Sequence, residues 1–344
     1  MHALDASGAD ADSAAGAARP DAAEIAYARA KHHVLELGPD CDSAGKQAGY
    51  GPDALCIGAQ KAATTWLYQN LVFHPLAWLP PIKELNFFTS VHVLGHREDD
   101  ARHRTEQIRE SRIWWQHAVG RDEDRRQRLA LLDHLADERL TDDWYTGIFD
   151  FRGPDQVGID ISPEYCLLPR EGVRHAVSIN PKVRIIALVR DPVERALSHA
   201  AMLAGADADE AAIWQILRSE AIGVLMRYSD YARWLGRWRS LTPPGSMFAA
   251  TMRQIRNEPH GMLRRLCTFL GLPFHTDLFP QAVEPVFKRR SRRVTTPEMR
   301  SFLRERMVRI YDELAEQWPE LAADFAADAS GDANLAEQVA KNHV

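Results

Sequence analysis

The sequence predicts an α/β fold, a three-layer sandwich built on a central parallel sheet near residues 53–320. The first observation is Val183-Arg-Ile-Ile-Ala-Leu-Val189, apolar nearly throughout, as a parallel strand covered on both faces should be. The second is a pair of shorter apolar runs of the same character, Ala54–Gly58 and Val157–Ile161. The third is the change to helical patterning after the first and last of these runs. Trp66, Leu67, Leu71 and Val72 recur at helix spacing up to His74-Pro75. Asp191-Pro192-Val193-Glu194 carries N-cap, first-turn proline and capping-box chemistry.

At 344 residues the chain can bury a sizeable core, and one large α/β domain is the expected organisation. Charged residues make up 26% and the formal net charge is −6, so the basic excess of a sequence-independent nucleic-acid binder is missing. Any anion site must be local. Cys41, Cys56, Cys166 and Cys267 are far apart and form no C-x-x-C pair; they read as thiols in a reducing compartment, without a zinc site. No apolar run approaches the roughly 18–20 residues of a membrane span. No basic region followed by an apolar stretch opens the chain, so a cytoplasmic enzyme is the simplest reading.

Residues 1–52 are expected to form an N-terminal extension. Its first 22 positions, rich in Ala, Asp, Gly and Ser, have little to bury. A helix fits 23–37, and 38–53 reads as loop. After the first strand and helix, Leu76-Ala-Trp-Leu-Pro-Pro81 should cross the sheet edge. Helices are expected near 101–118 and 121–139, the second burying Leu129, Leu132 and Leu135. This region reads as an insertion over the sheet, suited to an acceptor pocket, with Trp114, Trp115 and Trp144 first of all packing residues. A helix is expected over 170–180, two helices over 209–240, and a strand at Met247–Thr251. Pro259–Leu270 has helical spacing closed by Gly271. Thr295-Thr-Pro-Glu298 opens one long helix carrying Leu303, Met307, Ile310, Leu314 and Trp318, and 321–344 reads as a polar tail.

The stretch Ala54-Leu-Cys-Ile-Gly-Ala-Gln-Lys-Ala-Ala-Thr-Thr-Trp66 has the design of an anion cradle. Small residues, one lysine and two threonines separate strand from helix. Backbone N–H groups and the positive helix end converge there, and Lys61 adds a full charge. It is not a Walker A sequence, in which the lysine directly precedes the Ser/Thr. It should therefore hold a phosphate-like group without the triphosphate–Mg²⁺ arrangement. The competing reading is a plain strand–turn–helix with Lys61 solvated. Arg190 at a strand end and Ser198 two turns into the next helix can both face the crevice at the sheet's carboxyl edge, where open α/β sheets bind ligands.

Gly58-x-x-Lys61-x-x-Thr64 resembles the 5′-phosphosulfate loop of sulfotransferases that use 3′-phosphoadenosine 5′-phosphosulfate (PAPS). Lys83-Glu-Leu-Asn-Phe-Phe88 resembles the Lys-Glu-x-x-Phe-Phe segment of the family's bacterial and Golgi-type carbohydrate-directed branch. Val189-Arg-Asp-Pro-Val-Glu-Arg-Ala-Leu-Ser198 is similar to its 3′-phosphate segment. Asp160, Ser162, Pro163 and Tyr165 match a fourth segment, with Ile161 where the heparan-type branch has a lysine. Lys288-Arg289-Arg290 falls where the family has a Lys-Gly-Arg loop over the 3′-phosphate, with Arg289 in place of the glycine.

The resemblance implies a P-loop nucleotide-kinase-like fold and metal-free sulfuryl transfer, with PAPS as co-substrate and 3′-phosphoadenosine 5′-phosphate (PAP) as product. It assigns Lys61 to charge neutralisation on the bridging oxygen, and Ala62, Ala63, Thr64 and Thr65 to the 5′-phosphate and sulfonate. Trp66 is assigned to adenine, and Arg190 and Ser198, with Lys288, Arg289 and Arg290, to the 3′-phosphate. Glu84 matches the general base; the competing reading is a surface Glu84 paired with Lys83 or an arginine. His74 and His92 are fallback bases. The acceptor is a hydroxyl or amine of a glycan, lipid or small metabolite. Two alternatives stay open: a kinase-like nucleotide-dependent transferase, and a non-catalytic nucleotide-binding protein of the same fold.

Overall fold

A computed structural model describes residues 50–117, 122–205, 207–284 and 295–327. In chain order the first half contains β1 (Ala54–Gly58), α1 (Thr64–Leu71), β2 (Ala77–Trp78), α2 (Phe87–His92), α3 (Arg97–His117), α4 (Asp122–Ala136), α5 (Asp142–Phe149), β3 (Val157–Ile161) and α6 (Arg170–Ile179). The second half contains β4 (Arg184–Val189), α7 (Pro192–Ala204), α8 (Glu210–Leu217), α9 (Ala221–Ser229), α10 (Tyr231–Arg239), β5 (Met247–Thr251), α11 (Met252–Asn257), α12 (Pro259–Leu270), α13 (Pro297–Arg306) and α14 (Val308–Gln317). The five strands form one parallel sheet in the order β2-β3-β1-β4-β5.

Strand side chains alternate between the two faces, and both faces are apolar. Leu55, Ile57, Ile185, Ala187 and Val189 point into a core shared with Phe87, Tyr145, Trp234 and Trp238. Ala54, Cys56, Ile186 and Leu188 point the other way, onto Trp66, Leu67 and Leu71 of α1 and Met262, Leu263 and Leu266 of α12. Helices therefore cover both sides, and the expected three-layer α/β architecture is present. A third cluster joins α7 to α8, α9 and α13 through Leu197, Ile213, Leu225 and Leu303. From β1 the chain winds to β2 and β3 on one side, then to β4 and β5 on the other. The crevice between the carboxyl ends of β1 and β4 is the topological switch point, the usual ligand site of such sheets.

Several elements differ from the sequence expectation. Residues 209–240 form three helices, because the chain turns at Arg218 and again at Asp230 (φ −79°, ψ 67°). The long final helix is two helices, broken at Met307 (φ −103°, ψ 9°). The break has a packing reason: Leu303, Met307 and Ile310 face the α7 cluster, whereas Leu314 faces the main core. α2 and α5 were not expected; Thr141 caps α5 by accepting the Trp144 N–H. Leu321 and Phe325 are buried in the main core. The readings of residues 1–49 lie outside the described residues.

Candidate active site

The cradle begins where β1 ends. Gly58 has φ +135°, and a Cβ there would come 2.7 Å from the Pro163 carbonyl oxygen, so the position requires glycine. The Ala59 N–H donates to the Leu188 carbonyl at 2.5 Å, which fastens the loop to β4. Lys61 and Ala63 both adopt left-handed backbone (φ 70° each). Ala63 is the N-cap of α1, and no side chain among the described residues caps that helix end. Its first-turn N–H groups therefore have no side-chain acceptor among the described residues, as at helix ends that bind anions. The Lys61 Nζ lies 3.6 Å from the Met202 sulfur on α7.

A second ammonium reaches the same point from across β3. The Lys83 Nζ donates to Glu84 Oε1 at 2.7 Å and lies 3.3 Å from Thr65 Oγ1 and 3.4 Å from Thr64 Oγ1. Glu84 has φ +64°, its N–H donates to the Ile161 carbonyl at 3.1 Å, and its other carboxylate oxygen is 3.6 Å from His103 Nε2. α3 holds this turn: Gln107 Oε1 accepts the Lys83 N–H at 2.9 Å, and Gln107 Nε2 donates to the Lys83 carbonyl. The insertion over the sheet therefore does reach the cradle. Glu84 is paired with Lys83, as the competing reading had it, but the pair lies inside the cradle rather than out on the surface.

Beneath the Glu84 turn sits Asp160, fully buried on β3. Ser162 Oγ donates to it at 2.6 Å, and the Tyr145 and Tyr165 hydroxyls donate at 2.8 Å each. Ser162 Oγ accepts the Asn86 N–H and the Tyr165 hydroxyl accepts the Phe87 N–H. Burial raises the Asp160 carboxyl above the usual range, although its three donors oppose the shift. Burial also pushes the Cys56 thiol up to about 12, so no thiolate chemistry is available beside the cradle.

On the β4 side, Arg190 is almost buried, and Nη2 is 3.4 Å from Glu194 Oε2. Asp191 caps α7 by accepting the Val193 and Glu194 N–H groups. Glu194 does not complete the expected capping box. Its carboxylate instead links Arg190 to Arg300, whose Nε is 2.7 Å away. Ser198 is half-buried on α7. Trp66 is 5% exposed, and its indole N–H donates to the Ala282 carbonyl at 2.9 Å. His74 is buried against the Pro273 carbonyl, and burial lowers its pKa; His92 is hydrogen-bonded to His175. Lys288, Arg289 and Arg290 lie outside the described residues.

The model of the sulfotransferase family matches residues 52–276, well over half of the chain. The chain belongs to the sulfotransferase family. It is 26% identical over 136 residues to heparan sulfate glucosamine 3-O-sulfotransferases 3B1 and 3A1 of Mus musculus. That match covers 38% of this chain and about a third of each relative (35% and 34%). Among solved structures it is similar to a sulfotransferase from Alicyclobacillus acidocaldarius, with a TM-score of 0.50 and 19% identity over 77% of this chain and 94% of that one. At that identity the likeness establishes the fold. The matched span includes the cradle, Glu84, Arg190 and Ser198.

Sequence reasoning left out several residues that line or support the site. Lys83 lies inside the Lys83–Phe88 motif, yet its approach to Thr64 and Thr65 depends on tertiary structure. His103 and Gln107 are four residues apart on α3, a same-face spacing that could have drawn attention. Arg195 and His199 have the same spacing on α7. Arg195 is fully buried, donating to Ser229 Oγ (2.7 Å), the Leu225 carbonyl (2.6 Å) and, at 3.5 Å, the Gln60 carbonyl of the loop. No carboxylate among the described residues pairs with it.

Proposed function

We propose that this chain moves the sulfuryl group of PAPS to a hydroxyl or amine of a glycan, lipid or small-metabolite acceptor by in-line displacement. The observation that carries the proposal is the placement of one side chain, Lys83. The carboxylate of Glu84 and an uncapped helix N-terminus meet through a single ammonium, with Glu84 Oε1 2.7 Å and Thr65 Oγ1 3.3 Å from Lys83 Nζ. A base and an anion site that close together suit an acceptor proton leaving as a sulfuryl group arrives.

In this mechanism the α1 amides, Thr64 and Thr65 hold the 5′-phosphosulfate, and Lys61 neutralises the bridging oxygen as its bond to sulfur breaks. Glu84 takes the acceptor's proton as the new bond to sulfur forms. Arg190 and Ser198, one strand over, hold the 3′-phosphate. Lys288, Arg289 and Arg290 are assigned to the same phosphate by the resemblance of their motif alone. PAPS supplies the activated sulfuryl group, and no metal ion enters the scheme. Among the described residues no helix is long and apolar enough to cross a membrane.

The test is calorimetric binding of PAP to wild type and to Arg190→Ala, with and without Mg²⁺, followed by PAPS turnover with Glu84→Gln. Metal-independent binding lost in Arg190→Ala is expected. Turnover should fall about 10²- to 10⁴-fold in Glu84→Gln, the usual contribution of a general base. Binding of ATP–Mg²⁺ in place of PAP would replace this function with a kinase-like one.

A further inference from the structure

We propose that Lys83 is a donor-responsive residue, handed from Glu84 to the 5′-phosphate group of the nucleotide when the cradle fills. The inference rests on the sulfotransferase function above and goes beyond it, since neither the cradle motif nor the base motif gives Lys83 a part. Its side chain links the two: 2.7 Å to Glu84, 3.3 Å to Thr65 and 3.4 Å to Thr64. Both threonines open α1, where an anion would sit.

The geometry makes the ammonium the movable part. Gln107 fixes the Lys83 backbone through both its N–H and its carbonyl. Glu84 is fixed by its N–H bond to Ile161. The ion pair itself is partly open to water, with side chains 18% and 19% exposed, so exchange of partners is cheap. A phosphosulfate or phosphate brings more negative charge than one carboxylate, and it would arrive at the hydroxyls Lys83 already touches. While Lys83 holds Glu84 Oε1, that oxygen already accepts a hydrogen bond from a cation and is occupied as a base. With Lys83 turned to the donor, the carboxylate is released toward the acceptor. Base activity thereby follows donor binding.

A double-mutant cycle tests the hand-over without knowledge of the acceptor. PAP and adenosine 3′-phosphate, which lacks the 5′-phosphate, are titrated into wild type, Lys83→Met, Glu84→Gln and the double variant. Lys83→Met should weaken PAP about tenfold, as for loss of one charge-assisted contact. Adenosine 3′-phosphate affinity should stay within about twofold in all four proteins. Because Glu84 competes for Lys83, the cost of Lys83→Met should rise to about thirtyfold in the Glu84→Gln background. Lys83→Arg, which keeps the charge, should restore most of the PAP affinity. An equal or smaller cost of Lys83→Met without Glu84 would overturn the hand-over. Equal weakening of both nucleotides would mark Lys83 as merely structural and overturn it as well. Wild type binding neither nucleotide would instead sink the sulfotransferase function, and this inference with it.

Discussion

His199 offers a quantitative test of how the cradle is supported from behind. It lies one turn from Arg195 on α7, 4% exposed, with Nδ1 3.2 Å from the Arg195 guanidinium and its ring edge-on to Tyr228 at 5.3 Å. A nitrogen that accepts from a guanidinium must be unprotonated. Burial first, then the positive charges of Arg195 and Lys61, hold the imidazole from its ordinary 6.5 down to about 3. The folded protein thus keeps His199 neutral, while the unfolded chain takes up a proton below pH 6.5. Stability from this group is present above pH 6.5 and is lost as pH falls toward 3. Between pH 7 and pH 5 the linkage relation gives a loss of about 2 kcal/mol from this one residue.

The perturbation is His199→Gln, which keeps an acceptor for Arg195 and cannot titrate. Urea unfolding followed by circular dichroism at pH 7 and pH 5 measures both proteins. Wild type should lose about 2 kcal/mol more than the variant over that interval, and the comparison cancels other titrating groups. Equal losses, within about 0.5 kcal/mol, would refute a neutral His199 under Arg195. The point bears on function because a neutral His199 accepts from Arg195 and so holds its guanidinium behind the Gln60 carbonyl, where the charge adds to the positive potential of the loop.

Other substitutions probe the site's frame. Gly58→Ala should cost about 3 kcal/mol or more by thermal unfolding, from left-handed strain plus the clash with Pro163. Gly223→Ala, helical with nothing near its Cβ position, should instead gain about 0.5–1 kcal/mol. Tyr145→Phe should lose about 1–3 kcal/mol by leaving Asp160 one donor short, measured by urea unfolding. Tyr165→Phe should lose more, because its hydroxyl also accepts the Phe87 N–H. Trp66→Phe should cost about 1 kcal/mol through the lost bond to Ala282, measured by urea unfolding.

Much of the frame was legible because its signals are local. A parallel strand buried on both faces must be apolar, and Arg184–Val189 with its Asp191-Pro192 helix start shows both features in adjacent residues. The strand–loop–helix at 54–71 was legible for the same reason: glycine, lysine and threonine lie within seven positions, 58–64, between two apolar patterns. Where expectation failed, non-local packing decided. Nothing in the periodicity of 297–317 marks Met307 as a break; it follows from two clusters lying in different directions. Glu194 has capping-box spacing, yet Arg190 and Arg300 compete for its carboxylate from outside the helix. Lys83 and Thr65 are 18 residues apart, so their contact depends on where β3 and α3 place the intervening turn.

The left-handed residues explain why so much buried polar structure surrounds so small a site. Lys61, Ala63, Glu84 and Asn86 carry φ values of 70°, 70°, 64° and 51°. Each non-glycine residue in that region costs about 1–2 kcal/mol, so the four together are expensive against the stability of a whole domain. They persist because fixed partners hold their neighbourhood in place. The Glu84 N–H is bound by the Ile161 carbonyl, the Asn86 N–H by Ser162, and the next residue's N–H by Tyr165. Phe87 then stacks on Tyr145 at 4.5 Å. Ser162, Tyr165 and Tyr145 all converge on Asp160, a carboxylate that burial alone would disfavour. Asp160 is therefore the peg of the turn rather than a second acid in the reaction. Asp160→Asn leaves the site's net chemistry nominally intact, but it should loosen the Glu84 turn because an amide cannot accept all three hydroxyl donors in the same geometry. Turnover should then fall while PAP binding at the cradle is retained; loss of PAP binding with turnover unchanged would contradict that division of labour.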